Sequence, residues 1–227
     1  MTVVAEHTAT GGGDATGGDV AAAARRAMID SQLRVSGVND PAILAAMAAV
    51  AREDFVPAAL RASAYVDRKL PLGAGRALSP PLTHGLLLTE AAPTSADKAL
   101  LVGGGSGYLA AVLAPLVGSL DVVESEDALA QGTARNAGRW TCGPLAAGAP
   151  AGAPYSLIVI DGAIEALPES LAAQLAEDGR IVTGLVERGV TRLAIGRKSG
   201  TQVAFLTLAE ADFAPLAEFA LPRRWSF

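Results

Sequence analysis

The sequence predicts an α/β fold in which a mostly parallel sheet is covered by helices on both faces. From Lys98 onward, short apolar segments alternate with helical stretches, and such alternation is typical of parallel sheets with right-handed connections. The chain has 227 residues, the length of one α/β domain. Hydrophobic residues make up 51% of it, enough to form a sizeable core.

The first part of the chain is predicted to be helical. Residues 1–19 are rich in Gly, Ala and Thr, and we expect a disordered tail there. Apolar residues at helical spacing predict a helix over 20–36 that ends at Gly37. A second helix is expected to begin at Pro41, with Asn39 or Asp40 as its N-cap. Two further predictions are a loop over 64–81, broken by Gly and Pro, and a helix over 81–92 that packs its leucines inward.

The second part is predicted to form the sheet. Buried strands are expected over 98–103, 119–125, 155–162 and 180–186. Helices are expected between them, over 106–117, 126–138 and 168–179. An antiparallel pair is predicted over 191–210, with its turn at Ser199–Gly200.

Composition excludes several classes of function. Cys142 is the single cysteine, so an internal disulfide and a multi-cysteine zinc site are excluded, and two histidines leave few ligands for a metal. The net charge is −5 and the arginines are scattered, so we expect no nucleic-acid partner. No apolar run approaches a membrane span, and the first residues do not resemble a secretory signal. We therefore expect a cytoplasmic protein with neither metal nor membrane contact.

A glycine-rich loop between a strand and a helix is the first candidate binding site. Gly103, Gly105 and Gly107 alternate in the stretch GGGSG, which also includes Gly104 and Ser106. Backbone amides point outward at such a turn, and glycine lets a ligand approach closely. Tyr108 stands where a dinucleotide-binding loop has its last glycine, which favours a nucleoside such as S-adenosylmethionine. The alternative is a turn that serves close packing alone.

Glu124 is the second candidate in the cofactor site. It ends the second predicted strand, 21 positions after Gly103, and an acid at about this distance accepts hydrogen bonds from ribose hydroxyls. The alternative is an exposed glutamate without a ligand. Loop, strand order and acid together favour a nucleoside site.

Longer stretches resemble protein-L-isoaspartate O-methyltransferases. They are MIDSQLRVSGVNDPAILAAMAAVAREDFVP, AYVDRKLPLGAGRALSPP, APYSLIVIDGAIEALPESLAAQLAEDGRIV and DFAPL, and they span about residues 20–217 in consistent order. The resemblance implies a Rossmann-like S-adenosylmethionine-dependent methyltransferase fold with an N-terminal helical cap. It implies one domain over 20–227, with a helical cap and substrate loop over 20–96 and a Rossmann-like core over 97–227. The implied reaction is methyl transfer to the carboxylate of L-isoaspartyl residues in damaged proteins or peptides, which starts their repair.

This reaction makes modest chemical demands. The acceptor carboxylate is already ionised at neutral pH, so no strong general base is required, and catalysis rests on positioning and on exclusion of water. The resemblance places Ser79 at the family's active-site serine, where its hydroxyl would orient the substrate carboxylate. An alternative is that Ser79 caps the helix that begins at Pro80 or Pro81. His84, one turn further on, either faces the cleft or packs into the core.

Several positions depart from the family pattern. Leu101 and Pro144 stand where relatives carry acids, and Arg76 stands where bacterial relatives carry Gln. Each lost hydrogen bond to a charged group costs about 1.5–3 kcal/mol if nothing replaces it, so two losses would weaken cofactor binding by roughly two to four orders of magnitude. Asp161 is an added acid at the end of the third predicted strand. It would hold the methionine amino group of the cofactor, or it caps the following turn.

Two alternatives therefore accompany the methyltransferase hypothesis. A non-catalytic descendant would keep the fold as a scaffold, and a methyltransferase with a changed acceptor would keep the cofactor alone. Titration with S-adenosylmethionine tests the scaffold hypothesis, because a scaffold would not bind the cofactor and an enzyme would. Methanol release from an isoaspartyl peptide separates the second, because the product ester is labile.

Overall fold

A computed structural model describes residues 17–126, 129 and 136–222. Residues 1–16 of the predicted tail and most of the helix predicted over 126–138 lie outside them. The helices are α1 Gly17–Met28, α2 Pro41–Ala49, α3 Pro81–Ala91, α4 Tyr108–Leu113 and α5 Glu169–Gln174. The strands are β1 Leu70–Gly73, β2 Arg76–Leu78, β3 Lys98–Val102, β4 Ser119–Glu124, β5 Arg139–Cys142, β6 Tyr155–Ile164, β7 Leu175–Glu187, β8 Val190–Ser199 and β9 Gln202–Glu210.

Seven strands form one sheet in the order β5-β4-β3-β6-β7-β8-β9. The pairs from β5 to β7 are parallel, and β8 and β9 add an antiparallel hairpin. Ser199 pairs with Gln202, so the turn falls where the sequence predicts it. The mostly parallel sheet is confirmed.

The two faces of the sheet bury different helices. Side chains alternate along β3: Leu101 packs in a core that contains residues of α1 to α4. Leu100 packs on the opposite face, against α5 and short 3₁₀ turns. Helices therefore cover both faces, although the second face is covered by shorter pieces.

The N-terminal helices begin and end close to their predicted limits. α1 begins at Gly17, three residues before the predicted start, and continues through a π-helical and a 3₁₀ turn to Gly37. Gly37 has φ 94°, a left-handed conformation that favours glycine at a helix end. Of the two candidate N-caps of α2 it is Asp40 that caps, because its carboxylate accepts hydrogen bonds from the N–H groups of Ala42 and Ile43.

The structure corrects three sequence predictions. The predicted loop over 64–81 contains the hairpin β1–β2, in which Leu70 pairs with Leu78 and both side chains are buried. Strand β5 was not predicted, because a short edge strand with exposed residues has little apolar pattern. The helix predicted over 168–179 ends at Gln174, and β7 begins at once at Leu175. There, pairing with β6 overrides helical propensity.

Candidate active site

The candidate site lies at the carboxyl ends of β3 and β6. β4 and β5 extend the sheet on one side of β3, whereas β6 and β7 extend it on the other. Ligands of open α/β sheets bind in the crevice at such a switch in strand order. Gly103 and Asp161 border this crevice, and a Cβ added to Gly103 would lie 3.4 Å from the Asp161 carbonyl oxygen.

The glycine turn has the backbone that its sequence requires. Gly103, Gly105 and Gly107 have φ values of 81°, 53° and 90°, in the left-handed region. Gly104 is required for space, because an added Cβ would lie 2.5 Å from Val122 Cγ1. The Ser106 hydroxyl is buried and has no hydrogen-bond partner among the described residues. The turn thus leaves an unpaired polar group at the crevice.

Glu124 lies against the glycine turn. The Glu124 side chain is 2% exposed, and its Oε2 accepts a hydrogen bond from the Gly105 N–H at 2.6 Å. Its Oε1 accepts from the Ser125 N–H at 2.8 Å. The alternative of an exposed glutamate is therefore wrong. Glu124 presents a buried carboxylate to the crevice.

Arg76 enters the same crevice from the hairpin. Its Nη2 donates a hydrogen bond to Glu124 Oε2 at 3.1 Å, and a Cβ added to Gly103 would lie 2.7 Å from that nitrogen. The sequence marks Arg76 only as a departure in the substrate loop, not as a neighbour of the cofactor acid. Its partner lies 48 positions away, so no local spacing could reveal the contact.

Ser79, His84 and Asp161 form a buried cluster. Ser79 Oγ donates to Asp161 Oδ1 at 3.0 Å, and His84 Nε2 lies 3.0 and 3.1 Å from the two Asp161 carboxylate oxygens. α3 begins at Pro81 with Pro80 at its N-cap and no side-chain cap. The capping role considered for Ser79 is therefore wrong. Among the described contacts the Asp161 carboxylate binds these two side chains, not the following turn.

Arg52 completes this cluster from behind. Its guanidinium is fully buried and donates to the Ala64 and Ser79 carbonyl oxygens at 2.7 and 2.5 Å, while Nη1 lies 3.2 Å from His84 Nδ1. A guanidinium can only donate, so His84 Nδ1 is the acceptor. The proton of a neutral His84 is then on Nε2 and is donated to Asp161. His84 is buried in the core, which is one of the two alternatives that the sequence left open. It also contacts Asp161 and so helps to position that carboxylate.

Asp161 is held in its ionised form. Burial alone would raise the pKa of Asp161, but His84, the charge of Arg76 and the Ser79 hydroxyl outweigh burial and lower that pKa below its usual value. The crevice thus contains two carboxylates, those of Glu124 and Asp161, with one guanidinium between β2 and the glycine turn.

The two missing acids have different outcomes. Leu101 is completely buried in the core and offers nothing to a ligand. Pro144 precedes Leu145, whose N–H donates to Glu218 Oε2 at 2.8 Å. Glu218 also lines a cavity of about 200 Å³ that Arg76 and Ser125 share. The chain therefore brings another carboxylate to this region, from 73 positions further along, and sequence patterns gave no sign of it.

A second cavity, of about 270 Å³, lies beside Ser106 of the glycine turn. It is lined by the apolar residues Phe55, Val56, Pro57 and Leu72 and by the polar residues Asp54 and Ser106. Among the residues that the structure describes, no cluster of three His, Cys, Asp or Glu side chains is placed to hold a metal ion. In the same part of the chain no helix is both long and apolar enough to cross a bilayer.

Comparison with solved structures defines the class of fold. A beta-aspartate methyltransferase (PCMT) from Plasmodium falciparum, in complex with S-adenosyl-L-homocysteine, superposes with a TM-score of 0.72 at 18% identity. The alignment covers 86% of this chain and 98% of that one. The chain thus has the Rossmann-like fold of S-adenosylmethionine-dependent methyltransferases.

Sequence comparison gives the particular family. The family model of protein-L-isoaspartate(D-aspartate) O-methyltransferase matches residues 23–220. A protein-L-isoaspartate O-methyltransferase from Herpetosiphon aurantiacus is 39% identical over 85% of this chain and 89% of its own length. One from Methylorubrum populi is 38% identical over 86% and 95%, respectively. The chain belongs to the protein-L-isoaspartate O-methyltransferase family.

Proposed function

We propose that this protein transfers a methyl group from S-adenosylmethionine to the α-carboxylate of L-isoaspartyl residues in damaged proteins and peptides, and so starts their repair. The observation that carries the proposal is the hydrogen bond between the glycine turn and the buried Glu124 carboxylate at the switch in strand order. Membership of the family supports the choice of acceptor.

The residues of the crevice fit the cofactor. Gly103, Gly105 and Gly107 have no side chains, so a cofactor can approach the backbone of the turn at these residues. The Glu124 carboxylate is an acceptor suited to ribose hydroxyls. We propose that Glu218 accepts from the adenine amino group, in place of the acid absent at Pro144. S-adenosylmethionine supplies a methyl group on a sulfonium, which is a ready electrophile.

Asp161 is proposed to hold the α-ammonium of the cofactor. It borders Gly103, it is ionised, and Leu101 offers no acid for this role. A carboxylate has about four acceptor positions, and Ser79 and His84 do not use all of them. Asp161→Asn should weaken S-adenosylhomocysteine binding about ten-fold, the loss of one charged hydrogen bond. Unchanged affinity in calorimetry would remove Asp161 from the site.

The protein's part in the transfer is to position the acceptor. The substrate carboxylate needs no base, since it is ionised at neutral pH. We propose that Ser79 turns its hydroxyl proton from Asp161 to the substrate carboxylate, while His84 keeps Asp161 in place. The cavity beside Ser106, with both apolar and polar residues in its lining, is proposed to receive the neighbouring peptide chain. Residues 20–96 would then form the substrate side and residues 97–227 the cofactor side.

A changed acceptor is the second candidate function. The observation that favours it is Asp161, whose negative charge lies 3.0 Å from the Ser79 hydroxyl. An anion at this place repels an acceptor carboxylate unless a nearby cation compensates it. An acceptor that carries no charge would avoid this repulsion.

One assay tests both candidates. The protein is incubated with S-adenosylmethionine and either an isoaspartyl peptide or the same peptide with normal aspartate, and released methanol is measured. Methanol from the isoaspartyl peptide alone supports the proposed function. Cofactor binding in calorimetry without methanol would favour a changed acceptor, and no binding at millimolar cofactor would favour a scaffold.

The setting of the reaction is proposed in the same way. We infer a cytoplasmic protein whose partners are isoaspartyl-containing proteins and peptides, without a nucleic-acid partner. The acidic net charge of −5 supports the last point. Fractionation of cells that express the chain, followed by detection in the soluble or the membrane fraction, tests the location.

A further inference from the structure

Arg52, Arg76 and Arg180, whose side chains are wholly or largely buried, differ in how well they are paired. Arg52 uses Nε, Nη1 and Nη2 in its contacts. Arg180 does the same with Asp97 and two carbonyl oxygens. Arg76 is 11% exposed, and within the described part of the chain its guanidinium donates one hydrogen bond, to Glu124. Its Nε is buried without a partner. Such an unpaired donor is unfavourable, so Arg76 is not optimised as a structural ion pair.

The Glu124 carboxylate is contacted by more hydrogen-bond donors than it has acceptor positions. Its two carboxylate oxygens receive five donors: the N–H groups of Gly105, Ser125 and Glu126, the Ser125 hydroxyl and Arg76. A carboxylate has about four acceptor positions. A ribose hydroxyl can therefore bind Oε2 only if a donor leaves. Arg76 is the one that can leave, because the Gly105 N–H is fixed in the backbone.

Arg76 also fills the space beside the glycine turn. Its Nη2 lies 2.7 Å from where a Cβ on Gly103 would be. The guanidinium therefore occupies the space through which a ligand would approach Gly103. Its charge acts on Asp161 as well, since it contributes to lowering the pKa of that carboxyl. Arg76 thus contacts Glu124, lies beside Gly103 and acts on Asp161, three of the residues proposed to hold the cofactor.

We propose that Arg76 sets the affinity for the cofactor by acting as an internal counter-ion of the cofactor site. It holds Glu124 and covers Gly103 until the cofactor binds, and it leaves both as the cofactor enters. Cofactor affinity is then set by competition with the chain's own guanidinium. The inference rests on the proposed function, because it assumes that S-adenosylmethionine binds at Glu124.

The competition has a definite signature in affinity. S-adenosylmethionine has a sulfonium cation, and S-adenosylhomocysteine lacks it. If Arg76 leaves when either ligand binds, its substitution changes the energy of the ligand-free protein alone. Both ligands then bind more tightly by the same factor. If Arg76 stays, its removal relieves repulsion of the sulfonium and tightens S-adenosylmethionine selectively.

Calorimetric titration of both ligands into Arg76→Gln and the unchanged protein tests the proposal. We expect Arg76→Gln to bind each ligand at least ten-fold more tightly. Arg192→Gln is the matched control: Arg192 Nη2 also lies 3.1 Å from a carboxylate oxygen, of Glu210, but at an exposed place, and its affinities should not change. In a Glu124→Gln background the gain from Arg76→Gln should shrink, because the competition acts through Glu124.

Each outcome decides a different point. Unchanged or weaker binding by a folded Arg76→Gln protein overturns the proposal and leaves the proposed function standing. Selective tightening of S-adenosylmethionine also overturns it, because Arg76 would then remain in the site. No binding by any of the proteins overturns the proposed function and this inference with it. Thermal unfolding shows that each variant is folded, and Arg76→Lys, expected to retain the competition, is a second comparison.

Discussion

The two ends of the parallel strands carry ion pairs of opposite character. At the amino end of β3, Asp97 accepts from Arg180 Nη1 and Nη2 at 3.0 and 2.8 Å, and from Thr94 and Ser156. Arg180 uses its remaining donors on carbonyl oxygens at the end of α3. At the carboxyl end, Glu124 holds Arg76 by one hydrogen bond, and Arg76 keeps a buried donor unpaired.

The difference separates stability from binding. An ion pair in which each donor already has a partner offers no free group to a ligand. Removing one member of such a pair leaves a buried charge uncompensated. A pair with spare donors and acceptors can exchange one partner for another. We infer that the ion pair at the amino end stabilises the fold, whereas the one at the carboxyl end, where open α/β sheets bind ligands, is suited to exchange a partner for a ligand.

The largest expected effect is on stability, at the amino end. Asp97→Ala leaves the largely buried Arg180 guanidinium without its carboxylate and should lower the free energy of unfolding by about 3 kcal/mol, the lower end of the range for a buried pair. Urea unfolding measures this free energy. Under conditions where the variant is folded, its affinity for S-adenosylhomocysteine should not change. Asp212→Ala is the control, because its ion pair with Lys69 is exposed and should contribute less than about 1 kcal/mol. Equal effects of the two variants would contradict the comparison.

The next effect is on affinity, at the carboxyl end. Glu124→Ala removes the proposed acceptor of two ribose hydroxyls and should raise the dissociation constant of S-adenosylhomocysteine by at least about 100-fold, at about 1.5–3 kcal/mol for each charged hydrogen bond. Calorimetry measures it, while circular dichroism checks that the protein is folded. Glu187→Ala, at an exposed glutamate that ends β7, should bind as the unchanged protein does. An unaltered dissociation constant for Glu124→Ala would rule out its ribose role.

A smaller effect should appear in acid. Burial alone would raise the pKa of Asp97, but Arg180, Ser156 and Thr94 outweigh it and hold that pKa well below its usual value. The stabilisation is complete above the unfolded pKa of about 4 and is lost as pH falls below it. The stability difference between the unchanged protein and Asp97→Asn should therefore shrink from pH 5 to pH 3. A difference that does not vary with pH would show that Asp97 keeps its usual pKa.

The smallest effect concerns the adenine amino group. Glu218→Ala should weaken S-adenosylhomocysteine binding about ten-fold, the loss of one charged hydrogen bond. The analogue with hypoxanthine in place of adenine lacks the amino group, so its affinity should be the same with and without Glu218. If both ligands lose affinity equally, Glu218 acts through its bond to the Leu145 N–H instead.

The sequence singled out Ser79 and Asp161 one by one, but it predicted residues to lie close together only within the unit that runs from β3 through the glycine turn and helix to β4. The glycine turn and Glu124 follow from spacing along the chain, because β3 and β4 are neighbours joined by one helix. The bond between Ser79 and Asp161 spans 82 positions, and that between Leu145 and Glu218 spans 73. Such contacts depend on how distant elements pack. For the same reason the loss of the acid at Pro144 was visible, whereas Glu218 beside it was not.

The glycine turn also provides the protein with an optical reporter. Gly104 packs so closely on the Trp140 ring that an added Cβ would lie 2.7 Å from the indole carbons, and the indole N–H is fixed by the Ala137 carbonyl oxygen at 3.0 Å. Indole emission depends on the dipoles and charges around the ring. We therefore expect a ligand that binds at the turn to change the fluorescence emission of Trp140, which would report binding without a label, with Trp225 contributing a background.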